Sequence, residues 1–289
     1  MNGGKSIITP ELIKRFNEDG AVVLRGVFSA YWVEVVQRGI QRNLQEPSKY
    51  AEWLKSIGRQ NDYILTGIKF QESTTSGTYF NDYCNWKKIP EFQEYVHNSP
   101  AAELAGTLMC SEWVKFYHEH VLNKEPGTDK PTPWHHDQSY YPINGDKVCS
   151  IWMPVDPVSL NSTLRVVSGS HRWGRWFIPR KFATENDYIS DVPTDLYESV
   201  PVKDIDSGKY HILEWAMQPG DCVVFHMRTV HGAAGNSSMS HQRRVLATRW
   251  LGDDTCITTR PWKVSPPMEA VFTESPSLEQ LPSIWNCKN

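Results

Sequence analysis

The residues best suited to chemistry stand in one short run, Pro133-Trp134-His135-His136-Asp137-Gln138. In an extended strand, side chains two apart point to the same side. His135 and Asp137 then project together, one imidazole nitrogen beside one carboxylate oxygen, which is a two-toothed grip for a metal. A His-x-Asp triplet alone is a weak signal, since surface loops carry such triplets by chance. A second run strengthens it: the turn Gln218-Pro219-Gly220-Asp221, the strand-like Cys222-Val223-Val224-Phe225, then His226 to His231-Gly232. A His followed by Gly at a strand end can supply a third ligand from another part of a sheet. Two His and one carboxylate leave three coordination positions open, the arrangement that suits non-haem Fe(II) oxygenases. His226, five residues earlier, is the alternative third ligand.

Arg243 begins a strand twelve residues past His231, after an Asn236-Ser237-Ser238 turn. A guanidinium is a planar fork matched to a carboxylate. A keto acid chelating iron at one end needs such a partner for its far carboxylate. An ordinary strand cation is the competing reading, and Arg244 takes the role if the register slips by one. His118 and His120 share a strand face but have no carboxylate grouped with them. His136 points away from the metal, and His171 is expected to bond within a Gly-Ser-His turn.

The elements that must hold these residues fall into two textures. Thr9-Pro10-Glu11 opens a helix, with a hydroxyl cap, Pro in the first turn and a carboxylate after it, and Asp19-Gly20 closes it. A short strand follows at 21–25. A second helix spans about 30–44, with Val36, Ile40 and Leu44 on one face. Ser99-Pro100 starts another over 101–109. Residues 45–90 mix polar and aromatic types without a clear period. From Trp113 onward the chain reads as strands, at 114–122, 148–155, 164–167, 222–225 and 243–250. Helices first and strands after point to an α+β, mainly β, architecture on an antiparallel sandwich. The polar, Asp-rich stretch 186–210 reads as a lid or a plain surface loop.

With these pieces in order, the sequence resembles the phytanoyl-CoA dioxygenase family of Fe(II)/2-oxoglutarate oxygenases. The likeness is densest in Lys124-Glu125-Pro126-Gly127, Pro131 to Asp137, Cys149-Ser150-Ile151-Trp152 and Gly169-Ser170-His171, and resumes from Gly220-Asp221 through Arg249-Trp250. The resemblance implies a double-stranded β-helix, or jelly roll, from about 113 to 260, flanked by helices up to about 112, within a single domain over 1–289. It implies that His135, Asp137 and His231 bind iron, and that Arg243 pairs with the tail carboxylate of 2-oxoglutarate. It places Trp152 and His120 against the co-substrate, with O₂ as the second co-substrate. The family reaction yields succinate and CO₂. A carboxylate at 137, where Gly or Ala would admit a halide, favours hydroxylation of a C–H bond. Two local departures, the missing Gly in Ser159 to Leu164 and Ser168 in place of Pro, touch none of these residues.

Three classes compete: a zinc hydrolase using the same ligand set, a catalytically silent jelly roll that binds a ligand, and a cupin-like isomerase. The first two leave Arg243 or the intact ligands without a role, and the third ordinarily has more His ligands. Composition bounds the partners. The 289 residues have 39% hydrophobic and 22% charged content and a formal charge of −3, with no run of Lys or Arg that would mark a nucleic-acid surface. No apolar stretch reaches 18 residues, so no transmembrane helix is expected. The amino end lacks a secretory apolar segment, and the six scattered cysteines read as free thiols of a reducing compartment, hence a cytoplasmic location. A small-molecule substrate is expected rather than an acyl-CoA. Tyr79, Asn81, Trp86, Gln138, Tyr140 and Trp250 are its candidate walls, by aromatic or polar character near the expected mouth.

Overall fold

The computed structural model describes residues 7–55, 77–189 and 195–288. Its helices are α1 Pro10–Asp19, α2 Ala30–Gln45, α3 Pro90–Asn98, α4 Ala101–Leu108, α5 Val202–Asp206 and α6 Met268–Val271. The strands are β1 Ala21–Leu24, β2 Glu52–Leu54, β3 Tyr79–Tyr83, β4 Trp113–Lys124, β5 Thr132–His135, β6 Ile143–Asn144, β7 Val148–Pro154 and β8 Leu164–Val167. They continue with β9 Trp176–Phe177, β10 Tyr197–Glu198, β11 Ile212–Glu214, β12 Cys222–His226, β13 His231–Ala233, β14 Arg243–Leu251, β15 Cys256–Ile257 and β16 Ser283–Asn286.

A large sheet runs β1-β12-β7-β14-β4-β3-β2, with β16 also on β4, and a smaller one runs β11-β8-β13-β5. Their facing surfaces make the jelly roll, an α+β and mainly β fold. Alternation along β14 separates the two faces. Val245 and Ala247 face the smaller sheet and pack with Trp152, Val223, Leu164 and Val166. Leu246 and Trp250 face outward, into the layer where Phe16, Val36, Ile40, Phe92 and Tyr95 of the helices are buried. The sheet therefore has one side for a helical core and one side for a site.

Local signals explain the helices. The Thr9 hydroxyl accepts the Leu12 N–H, and Gly20 ends α1 with φ of +78°. A side chain at Gly20 would collide with His171 and Thr229, so only Gly closes this turn against the next layer. The strands β1, β2 and β3, although drawn from the helix-rich part of the chain, lie in the large sheet. Among the described residues no helix is long and apolar enough to cross a membrane, and all six cysteines are free thiols.

Candidate active site

Antiparallel register stacks the inner side chains in rows across the large sheet. One row is Tyr79, Lys124 and Arg243; a second is Tyr83, His120, Ala247, Trp152 and Val223; a third is His118, Arg249, Ser150 and Phe225. The smaller sheet faces these rows with His135 opposite His231. Asp137 is not in the strand that carries His135. The strand stops at His135, and Asp137 opens a 3-10 turn over residues 137–140, pinned where the Gln138 N–H donates to the Met227 carbonyl.

The three side chains still converge. His135 Nε2 lies 3.5 Å and His231 Nε2 3.6 Å from Asp137 Oδ1, and one donor atom from each residue falls within 4.8 Å of the others. The Nδ1 atoms of His135 and His231 lie 2.7 and 2.9 Å from the carbonyls of Pro133 and Thr229. A carbonyl only accepts, so each Nδ1 carries a proton and Nε2 is the atom each ring offers to a metal. Burial, then the neighbouring His135, holds His231 neutral, with its pKa lowered to about 3. Burial pushes the Asp137 carboxyl up, but Arg249, His231 and His135 outweigh it and keep the group ionised, well below the usual range. Asp137 Oδ2, on the side away from the histidines, accepts the Ser150 hydroxyl at 2.6 Å and lies 3.3 Å from Arg249 Nη2. Two imidazole nitrogens and one anionic oxygen form a donor set that fits a divalent iron.

Farther along the barrel Arg243 is 3% exposed. Its Nη1 donates to the carbonyls of Ser162 and Ala234, its Nε has no partner, and its guanidinium lies 6.0 Å from the Trp152 ring. Burial lowers its pKa to about 10. Among the described residues it makes no ion pair, an arrangement that suits an incoming carboxylate. Arg244 instead points outward and is held by both oxygens of Asp156, so the register does not slip.

A cavity of about 230 Å³ opens beside the triad, bordered by Asn81, His118, His120, Tyr140, Phe182 and Arg249 among others. His120 bonds Asn81 Oδ1, and Phe182 leans edge-on against His135 at 5.1 Å. The Tyr140 hydroxyl donates to the Arg180 carbonyl at 2.6 Å and accepts the Arg180 N–H at 2.8 Å, which fixes the segment carrying Phe182.

Asn81, Tyr140 and His120 thus border the cavity; four other candidate walls do not. Trp250 is wholly buried on the helix side of β14, 5.0 Å from the Phe116 ring, because an even offset from Leu246 keeps it on the outer face. Trp86 packs on the same Phe116 at 5.2 Å. Gln138 is buried and donates to the Gly145 carbonyl at 2.8 Å, bracing a loop. Tyr79 sits in the Arg243 row, its hydroxyl 3.3 Å from Thr132 Oγ1, away from the mouth. His226 bonds the Asp146 carbonyl, remote from the triad. His171 reaches the Asn17 carbonyl at the end of α1 instead of a turn of its own. His136 accepts the Phe177 N–H and faces away from the metal ligands. In the 186–210 stretch, Tyr188 borders the cavity, whereas residues 190–194 lie outside the described ones.

Sequence reasoning missed Arg249, Ser150 and Phe182. Parity could have found the first two: Arg249 is an even step from Arg243, and Ser150 from Trp152, so both share the inner face.

A facial pair of imidazoles and a carboxylate inside a jelly roll, with a buried guanidinium farther in, defines the class of Fe(II)/2-oxoglutarate oxygenases. Comparison with known proteins narrows the class. The profile of phytanoyl-CoA dioxygenase (PhyH) matches residues 16–245, and the chain belongs to that family. A probable phytanoyl-CoA dioxygenase of Caenorhabditis elegans is 21% identical over 265 residues, covering 87% of this chain and 78% of that one. The non-heme alpha ketoglutarate dependent carbocyclase SnoK superposes with a TM-score of 0.69 at 20% identity, covering 98% and 100% of the two chains. The epimerase SnoN, solved with Fe3+, alpha ketoglutarate and nogalamycin RO, gives 0.63 at 17% identity over 95% and 98%.

Proposed function

We propose that this family member is an Fe(II)- and 2-oxoglutarate-dependent dioxygenase that hydroxylates an unactivated C–H bond of a small molecule, releasing succinate and CO₂. The observation that carries the reading is the pairing of an inward-facing His-Asp-His set with a buried guanidinium lacking an anionic partner. The iron and co-substrate, when bound, supply the oxidising power, as cofactors do in such sites. The protein supplies placement. Nε2 of His135 and His231 and Oδ1 of Asp137 would hold the metal. Arg243 would receive the tail carboxylate over the flat Trp152 ring, and neutral His120 would border the co-substrate. Phe182 and Tyr140 pack against His135 and would limit water at the triad once substrate fills the cavity, which strengthens charge interactions inside. The cavity is below the roughly 300 Å³ of ordinary drug-sized pockets, which favours a compact substrate over an acyl-CoA. The carboxylate at 137 favours hydroxylation over halogenation, while neighbours named a carbocyclase and an epimerase carry other outcomes on the same fold, so desaturation and ring chemistry stay open. We take residues 1–289 as one domain, with the site wholly within it.

The test is anaerobic addition of Fe(II), then 2-oxoglutarate, followed by oxygen and a panel of compact metabolites. A visible charge-transfer band and substrate-stimulated succinate release are expected, and Asp137→Ala should lose both. Tight zinc binding without the band would replace this reading with a hydrolase. Iron binding without a response to 2-oxoglutarate would leave a ligand-binding jelly roll.

A further inference from the structure

The two oxygens of Asp137 have different surroundings. Oδ1 faces both histidine Nε2 atoms. Oδ2 is held from behind by the Ser150 hydroxyl at 2.6 Å and by Arg249 Nη2 at 3.3 Å. Arg249 is itself fixed: its side chain is only 5% exposed and its Nη1 donates to the Ala247 carbonyl at 2.9 Å. His118 and Ser150 flank it across the register of β4 and β7. The β14–β4 ladder breaks register immediately beyond it, between Arg249 and Trp250. Bulges of this kind gather beside active sites, where they re-aim a side chain.

From this geometry we propose that Arg249, with Ser150, is a positioning residue that keeps Asp137 a one-toothed ligand and so reserves three metal positions for the co-substrate and oxygen. The proposal rests on the iron and 2-oxoglutarate reading above. A carboxylate can give a metal one oxygen or both. To bring Oδ2 onto the same ion, Asp137 must abandon the Ser150 hydrogen bond and the Arg249 ion pair, leaving a buried guanidinium without its counter-ion, which is strongly unfavourable. With the second oxygen engaged, a keto acid chelating through two atoms would leave no position for oxygen in an octahedral site. The charge of Arg249 acts in the same direction. A cation this close to the ligand disfavours a dication and favours the dianionic co-substrate. Removing it should therefore separate two affinities that a purely structural residue would lower together.

Arg249→Gln, Arg249→Lys and Ser150→Ala are the variants, with parent and Arg243→Ala as references. Fe(II) affinity is read by anaerobic chelator competition, 2-oxoglutarate affinity by the charge-transfer band, and ligand number by the absorption intensity of the Co(II)-loaded protein. Arg249→Gln should bind Fe(II) as tightly as the parent or more so, lose about 10- to 100-fold in 2-oxoglutarate affinity from the loss of one nearby positive charge, and change the Co(II) spectrum. Arg249→Lys should recover most of the co-substrate affinity. Ser150→Ala should shift in the same direction by less, and it decides the matter if Arg249→Gln does not fold. Arg243→Ala should lose 2-oxoglutarate with the Co(II) spectrum unchanged. Both affinities falling together in Arg249→Gln or Ser150→Ala, or neither changing, overturns the proposal while the proposed function stands. A parent that shows no band with 2-oxoglutarate overturns both.

Discussion

At the scale of single residues, the site is assembled from groups that cost stability when empty. Arg243 is the clearest case: a buried guanidinium with two carbonyl partners and an unpaired Nε. Leaving a buried donor unsatisfied costs about 1–3 kcal/mol, and the carboxylate proposed to dock there would relieve it. Arg243→Met should therefore act in opposite directions on two measurements. Co-substrate affinity should fall by roughly 30-fold or more, from loss of a charge-assisted pair, read by titration of the anaerobic iron protein. The melting midpoint of the metal-free protein should stay level or rise. A midpoint several degrees lower would mean that Arg243 holds the fold together and has no need of an external carboxylate.

At the scale of elements, the two faces of the large sheet do separate work, and this can be tested one face at a time. Trp250→Ala removes a wholly buried outer-face ring and should destabilise by about 3–5 kcal/mol, while the metal dissociation constant of the folded fraction stays as in the parent. Glu119, buried in β4 between His118 and His120, accepts the Asn85 N–H at 2.6 Å on the side away from the cavity. Burial raises its pKa from 4.5 to about 8. A carboxyl whose folded value exceeds its unfolded one binds its proton more tightly when folded. Stability is then greatest below pH 4.5 as far as this group is concerned, and falls as pH rises through 8, by a few kcal/mol on the order of 1.4 per pK step. Glu119→Gln should remove that slope, so its advantage over the parent in thermal or urea unfolding should be larger at pH 8.5 than at pH 6. An equal difference at both values would mean the carboxyl is not neutral in the folded state. The same elements show what the sequence could reveal. Helix α1 was legible through its caps, α2 through its four-residue spacing, and β8 through the short β-favouring stretch at 164–167. Helix α3 was not, although Ile89-Pro90 carries a start signal, because the surrounding aromatic and polar mixture hides its period. The strand carrying His135 was expected to run on through Asp137 but stops at His135; Pro133 is tolerated in it because β5 is the edge of its sheet and one side needs no ladder bonds. The clustering of 135, 137 and 231 was legible in residue type and order, and the inward, buried place of Arg243 in its strand position. The walls were not, since aromatic or polar character alone does not say which face a residue occupies; parity from Arg243 would have put Trp250 on the outer side.

At the scale of the whole molecule, the proposed centre is a clasp between the two sheets. His135 and His231 come from the smaller sheet, Asp137 from the turn leaving it, and the Ser150 and Arg249 that orient Asp137 from the larger one. A ligand that binds only the folded state adds stability in proportion to the logarithm of its concentration over its dissociation constant, about 2.7 kcal/mol at a hundredfold excess. For a chain of this size that corresponds to roughly 5–10 °C in melting midpoint. Fe(II) under anaerobic conditions should raise the midpoint by this amount, 2-oxoglutarate should raise it further only when metal is present, and a chelator should reverse both. The variants divide the response: Asp137→Ala should lose both increments, whereas Arg243→Met should keep the first and lose the second. Differential scanning calorimetry of the four combinations measures this directly. If 2-oxoglutarate stabilised the metal-free protein as much as the metal-loaded one, the co-substrate would be binding apart from the triad, and the link between the guanidinium row and the His-Asp-His set would be broken.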